Sequence, residues 1–237
     1  MRRRTTLRLV TLVLPAALLA AGCSGGGDPA ADPSVATPAQ AFADAKAAFD
    51  EAGAVTIDLT STGLPKGQDG VSAAQGTGLI DAKTPKFKGR ITAVLDGTPG
   101  AVDLITIGDD AWMTFFTEDY NPVDLATLGA PNPSTLFSPE EGLSSLLPAT
   151  TQAKAGEQKR VGRQVLRTYT GVVPAERIQR LLSVGDDATS FDVTYAIDEE
   201  SGQLVEAVMS GEFFAGDQGT YTVVFSDYGK SVAIARP

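Results

Sequence analysis

The sequence predicts an α+β domain, a large antiparallel sheet with a few inserted helices lying over one of its faces. Three observations carry that prediction. Two-residue alternation recurs from Ala54 onward, as in "VTIDLT", where Val55, Ile57 and Leu59 alternate with Thr56, Asp58 and Thr60. The alternating stretches are joined by turn chemistry such as "EESG" and "AGDQG". Helical spacing is confined to short stretches that carry start or stop signals.

In chain order, residues 1–22 come first. Arg2, Arg3, Arg4 and Arg8 form a basic block, followed by the apolar run "LVTLVLPAALLAA" and small residues, the three-part plan of a secretory signal. The run is shorter than the ~20 apolar residues a membrane-spanning helix needs, and Pro15 interrupts it. Residues 23–38 are rich in Gly, Ala, Asp, Ser and Pro and cannot bury enough apolar surface to pack, so they read as a flexible tether. Residues 39–237 then form a single domain. Its first element is a helix with Phe42, Ala45, Phe49 and Ala52 on one stripe and Gly53 as its stop.

Strands follow at "VTIDLT" and "FKGRITAVL", the second with Phe87, Ile91 and Leu95 on one face. "AVDLITI" and "AWMTFF" flank the turn at Gly108, Asp109 and Asp110 and predict a hairpin. Trp112, Met113, Phe115 and Phe116 put apolar groups on both faces of its second strand, as in a central strand buried on both sides or one near an opening. "PVDLATL" predicts a short helical turn, and the three prolines of "PNPSTLFSP" a stiff rim. "SPEE" predicts a helix start, with Ser138 as cap, Pro139 at the first position and Glu141 closing the box. Leu143, Leu146 and Leu147 are its apolar face. "RQVLRTYTGVV" is a strand, and "PAERIQRLL" a helix with Ile178, Leu181 and Leu182 on one side. The last third is a meander whose first strand carries Phe191, Val193, Tyr195 and Ile197 on one face, and "KSVAIARP" adds an edge strand. The "GDD" runs at 108–110 and 185–187 lack the further oxygen ligands of a calcium loop and read as solvated turns.

Composition removes several function classes. The net charge of −10 becomes about −14 once the four leader arginines are gone, a balance that disfavours nucleic acid. The chain has no histidine, which removes Ser-His-Asp and Cys-His catalysis and histidine metal ligands. No glycine-rich phosphate loop is present. Cys23 is the single cysteine, so no internal disulfide and no Cys-rich metal site can form. The expectation is a binding or carrier protein with no cofactor and no catalytic residues.

"LAAGC", residues 19–23, resembles the lipobox of bacterial lipoproteins, in which the cysteine receives a diacylglyceryl group and the chain is cut before it. Here Leu19 is displaced by one position and Ala20 stands where leucine is usual. Arg3, Arg4, Leu7 and Arg8 also resemble a twin-arginine signal, with Thr6 at its usual aromatic position, so both export routes stay open. Further stretches are "SPEEGLSSLL", "RTYTGVVPAERIQRLL", "VTYAIDEESGQLVEAV" and "YTVVFSDYGKSVAIARP". In their order and spacing they resemble the actinobacterial lipoprotein family named for LppX, LprA, LprF and LprG.

That resemblance implies a strongly curved antiparallel sheet, a half-barrel, with helices over its concave face, similar to periplasmic lipoprotein carriers. It implies that acylated lipid or glycolipid binds in a hydrophobic cavity between sheet and helices and is carried towards the outer envelope. The protein would be exported and lipid-anchored through Cys23 on the outer face of the cell membrane. The cavity candidates are Val55, Ile57, Leu59, Phe87, Ile91, Leu95, Leu143, Leu146, Leu147, Ile178, Leu181, Leu182, Phe191, Val193, Tyr195 and Ile197. Periodicity alone reads the same residues as an ordinary packed core. The alternative function is an envelope scaffold or an accessory to a membrane transporter, with a filled core and no lipid cargo.

Overall fold

The computed structural model describes residues 36–237, apart from Leu64, Lys66, Asp96, 115–117, 185–187 and Ser231. The leader, Cys23, most of the tether, Phe115, Phe116 and the second "GDD" lie outside the described residues, as does the side chain of Leu95.

Helix α1 (Pro38–Glu51) starts where the Thr37 hydroxyl accepts from the Gln40 N–H at 3.3 Å and Pro38 pre-sets the first turn. It buries Ala41, Phe42, Ala45 and Phe49 and stops at Gly53, whose φ of +70° suits glycine. Among the described residues, eleven antiparallel strands follow in two meanders. The first is β1 (Ala54–Thr62), β2 (Gly70–Leu79), β3 (Lys86–Leu95), β4 (Thr98–Ile107), β5 (Asp110–Thr114) and β6 (Tyr120–Val123). The second is β7 (Thr151–Val161), β8 (Gln164–Pro174), β9 (Ser190–Asp198), β10 (Leu204–Phe214) and β11 (Asp217–Ser226). β1 pairs with β11, so the two meanders fuse into one sheet in the order β6-β5-β4-β3-β2-β1-β11-β10-β9-β8-β7.

Between the meanders lie two 3₁₀ turns, Pro133–Phe137 and Leu143–Ser145, and the one-turn helix α2 (Leu146–Ala149). Helix α3 (Ala175–Leu182) connects β8 to β9 and ends at Ser183 in the left-handed region, φ +55°. These pieces and α1 cover one face of the sheet. Phe42 meets Tyr169 of β8 and Tyr195 of β9 edge-on at 5.7 and 5.4 Å, and Phe49 meets Phe225 of β11 at 5.9 Å. α1 is tied to the 3₁₀ region by a part-buried polar group. Lys46 Nζ donates to Asp50 Oδ2 and to the Pro139 carbonyl, each at 2.6 Å, and Ser144 Oγ donates to Asp50 Oδ1 at 2.7 Å.

Four local expectations change. The helix expected from "SPEE" is broken: Ser138 Oγ accepts from the Glu141 N–H at 3.4 Å, but Gly142 then turns extended (ψ −163°) and the chain restarts as 3₁₀. Gly142 sits against the Leu136 carbonyl with no room for a side chain, so local packing overrides the helix signal. "PVDLATL" begins as strand β6, and its helical turn comes later, where the Asp124 carboxylate accepts from the N–H groups of Ala126 and Thr127 at 3.0 and 3.2 Å. "KSVAIARP" forms no strand among its described residues, and the sheet edges are β6 and β7. Arg236 instead bonds Asp110 and lies 5.7 Å from the Trp112 ring, with Ile234 buried beside this tail. Finally, β2 and β7 are strands in stretches where alternation predicted none.

Candidate functional site

Strand alternation sends Val55, Ile57 and Leu59 of β1, Phe87 and Ile91 of β3, Leu104 of β4 and Met113 of β5 to the covered face. Tyr195 of β9, Phe213 of β10 and Tyr221 of β11 point to the same face, and all of these are buried in one cluster. What differs along the sheet is how the space above that face is filled.

Around β1, β2 and the start of β3 the space is filled by rings lying on glycines. Gly76 of β2 faces Gly89 of β3, and a Cβ on either would come within 2.6 Å of the Phe87 ring. Phe137, from the 3₁₀ turn, lies directly over Gly78 and stacks on Phe87 with centroids 6.0 Å apart. The missing side chains are the reason two phenyl rings fit so close to the backbone. Under α1 and α2, Phe42, Phe49, Leu143, Leu146 and Leu147 close the middle in the same way. A third ring group sits at the far ends of β9–β11, where Phe191 and Phe213 lie 4.4 Å apart and Phe213 meets Tyr221 at 4.7 Å.

Beyond these rings the space stays open. A cavity of about 400 Å³ lies between the ends of the two meanders. Its floor is Ile91 and Ala93 of β3, Val102 and Leu104 of β4, and Met113 of β5. Leu125 and the segment 128–131 form one wall, Leu182, Ser183 and Val184 a second, and Phe213, Phe214 and Ala215 a third. Gln68, Asp69, Gly70 and Val71 complete the lining. Met113 and Phe213 belong to strands six places apart in the sheet, about 29 Å along a flat sheet at ~4.8 Å per strand. That both border one small cavity shows how strongly the sheet is curled.

The lining is apolar except near Gln68, Asp69 and Ser183, and among the described residues it contains no Lys or Arg. Asp69 is engaged as a turn acceptor for the Gly97 N–H at 2.8 Å. The buried tyrosines of this face add no charge. Burial pushes the Tyr195 and Tyr221 hydroxyls up to about 12. Tyr195 shares a 3.1 Å hydrogen bond with Thr150, and Tyr221 donates to the Val71 carbonyl at 2.9 Å. Both stay neutral at any ordinary pH. Among the described residues no three His, Cys, Asp or Glu side chains come together to hold a metal. Such a cavity suits hydrocarbon.

Of the residues singled out from sequence, Ile91 and Leu182 line the cavity. Val55, Ile57, Leu59, Phe87, Leu143, Leu146, Leu147, Ile178, Leu181, Phe191, Val193, Tyr195 and Ile197 lie in the surrounding core cluster, packed against one another. Val102, Leu104, Leu125, Val184, Phe213 and Phe214 line the cavity without having been singled out, and Met113, named only within the apolar "AWMTFF" strand, lines it too. Alternation within "AVDLITI" marks Val102 and Leu104 as sharing a face, which was the available signal.

Comparison with known proteins agrees with this architecture. The family model LppX_LprAFG lipoprotein matches residues 37–234. The structure of LprF from Mycobacterium bovis superposes with a TM-score of 0.73 at 14% identity, covering 84% of this chain and 96% of that one. The lipoprotein LppX of Mycobacterium tuberculosis superposes with a TM-score of 0.59 at 17% identity, covering 84% and 98%. No curated protein matches the chain.

Proposed function

Since this chain belongs to the LppX_LprAFG lipoprotein family, we propose that it is an envelope lipoprotein that binds acylated lipid in the cavity beneath its sheet. In this reading the chain is exported and anchored through lipid on Cys23 at the outer face of the cell membrane. It carries its cargo, an acylated lipid or glycolipid, towards the outer envelope. The observation that carries the reading is the unfilled apolar space of about 400 Å³, with no cation among the described residues of its lining.

Taking a methylene as about the size of one liquid water, ~30 Å³, the space holds on the order of a dozen methylenes. At about 0.8 kcal/mol each, their transfer from water is worth roughly 10 kcal/mol. That is enough to hold one tail without a charged anchor. The head group then stays at the mouth, near Gln68, Asp69 and Ser183, where the lining is polar.

Native mass spectrometry of the protein purified from an actinobacterial host tests the reading. The expected result is a retained species of lipid mass that is lost on delipidation and regained with added acylated glycolipid. Protein free of lipid that also fails to take up added glycolipid would overturn it and favour a scaffold with no cargo.

A further inference from the structure

The charge of this chain is unevenly placed. Five of its 19 Lys and Arg lie within residues 154–167, against a single acid there, Glu157, in a chain with 29 acids. These residues are the β7–β8 hairpin. β7 is an edge strand, and its residues are exposed from Lys154 to Val161 apart from no more than partial cover elsewhere in the strand. Two residue pairs, Arg160–Val165 and Val161–Gln164, and the turn at Gly162 and Arg163 extend past Leu166, the last residue of β8 paired with β9. That projection is roughly 7 Å, close to one Debye length at physiological salt.

A carboxylate beside the hairpin, that of Glu199, is already engaged. Glu199 Oε1 accepts from Arg167 Nε and its Oε2 from Gln158 Nε2, both at 2.6 Å. Asp198, paired with Leu166, is buried and accepts from the Glu200 and Ser201 N–H groups at 3.0 and 2.8 Å, while Glu157 and Glu200 are exposed. Lys159, Arg160 and Arg163 therefore form a solvent-facing cationic tip. Val161 sits at its apex, 46% exposed, one of the few large apolar side chains left open to solvent. Cations flanking an exposed apolar residue are the chemistry that meets an anionic bilayer, charge to phosphate and side chain to the acyl boundary.

A second observation concerns orientation. α1 begins at Pro38 and places Phe42 against Tyr169 of β8, so the chain enters the domain on the β7–β8 side. The cavity lining at Gln68–Val71 and Phe213–Ala215 lies at the opposite strand ends from the hairpin tip. We propose that the β7–β8 tip, through Lys159, Arg160, Arg163 and Val161, docks the domain on an anionic phospholipid surface, with the cavity mouth turned away from it. The orientation relative to a tether rests on the anchor reading above; the docking surface does not.

The test uses the chain from Ser24 onward, which lacks the leader and Cys23 and contains the whole described core. It is sedimented with vesicles of equal parts phosphatidylglycerol and phosphatidylcholine, or of phosphatidylcholine alone. Binding is expected to the anionic vesicles only and to weaken with salt. The K159E/R160E/R163E variant is expected to bind about a hundredfold more weakly or worse, from the loss of three surface cations. Val161→Trp is expected to show a blue-shifted tryptophan signal with anionic vesicles alone. Ala93→Phe, placed in the cavity, should leave vesicle binding unchanged, which separates docking from cargo. Equal sedimentation of wild type and the triple variant, loss of binding in Ala93→Phe, or full competition by inorganic phosphate would each overturn the proposal.

Discussion

Ala93→Phe is the substitution that most directly probes the cavity. Ala93 lies on the cavity floor beside Ile91, Val102 and Leu104. A phenyl ring there takes up roughly the room of three to four waters, about 100 Å³ at ~30 Å³ each. That is about a quarter of the 400 Å³ available and displaces some three to four methylenes of a bound tail. At ~0.8 kcal/mol per methylene the loss is about 3 kcal/mol, or on the order of a hundredfold in Kd. The ring enters open space, so the folded protein should be as stable as wild type or slightly more so, unlike a ring forced into a filled core. The assay is displacement of a fluorescent fatty acid by acylated lipid, with thermal unfolding run in parallel. Unchanged affinity in a folded variant would refute the assignment of this cavity as the tail site. Weakened affinity together with a large fall in Tm would mean that Ala93 belongs to the packed core.

Gly78→Val should cost about 1–3 kcal/mol in urea unfolding, because the added side chain meets the Phe137 ring with no free volume beside it. Tyr195 and Tyr221 ionise near 10 in the unfolded chain and are raised to about 12 in the fold. Their neutral forms therefore contribute stability that is complete below pH ~10 and lost as pH rises towards ~12. Tyrosinate absorbance should lag the ordinary curve and then rise together with loss of near-ultraviolet circular dichroism. Cys23→Ala should accumulate as an unprocessed precursor without lipid label while its domain keeps wild-type unfolding; labelled, cleaved protein would remove the anchor reading.

The parts of the fold legible in sequence are those with one wet and one dry face. β1 and β3 alternate, as does the first half of β9 before Tyr195–Asp198 are all buried; the β4–β5 hairpin turns at its "GDD", and α3 carries Ile178 and Leu181 on one side. β2 was not legible because its inward positions are Ala74, Gly76 and Gly78. Their hydrophobic cover comes from Phe87 and Phe137, distant in sequence. β7 was not legible because nearly all of it faces water, so no alternation is imposed. The cavity was legible as a face and not as a space. Leu59 and Leu104 obey the same alternation, yet one is packed and the other lines the opening. The difference lies in what stands opposite each of them, which depends on how glycines and rings are distributed over the whole sheet.

The seam between β1 and β11 has a consequence for how the chain is made. Thr56 pairs with Ser226 and Thr62 with Thr220, so the second-formed element of the domain waits for almost the last. A chain delivered N-terminus first pairs β1 with β2 early, but the other edge of β1 stays open until some 160 residues have followed. During that interval each meander is a separate half-structure with a raw edge, the arrangement most prone to pairing with a neighbouring chain. A stop codon within β11 would therefore do more than trim a terminus. It would leave two edges in mid-sheet and strip Tyr221, Val223 and Phe225 from the core, and a quality-control protease should remove the product soon after export.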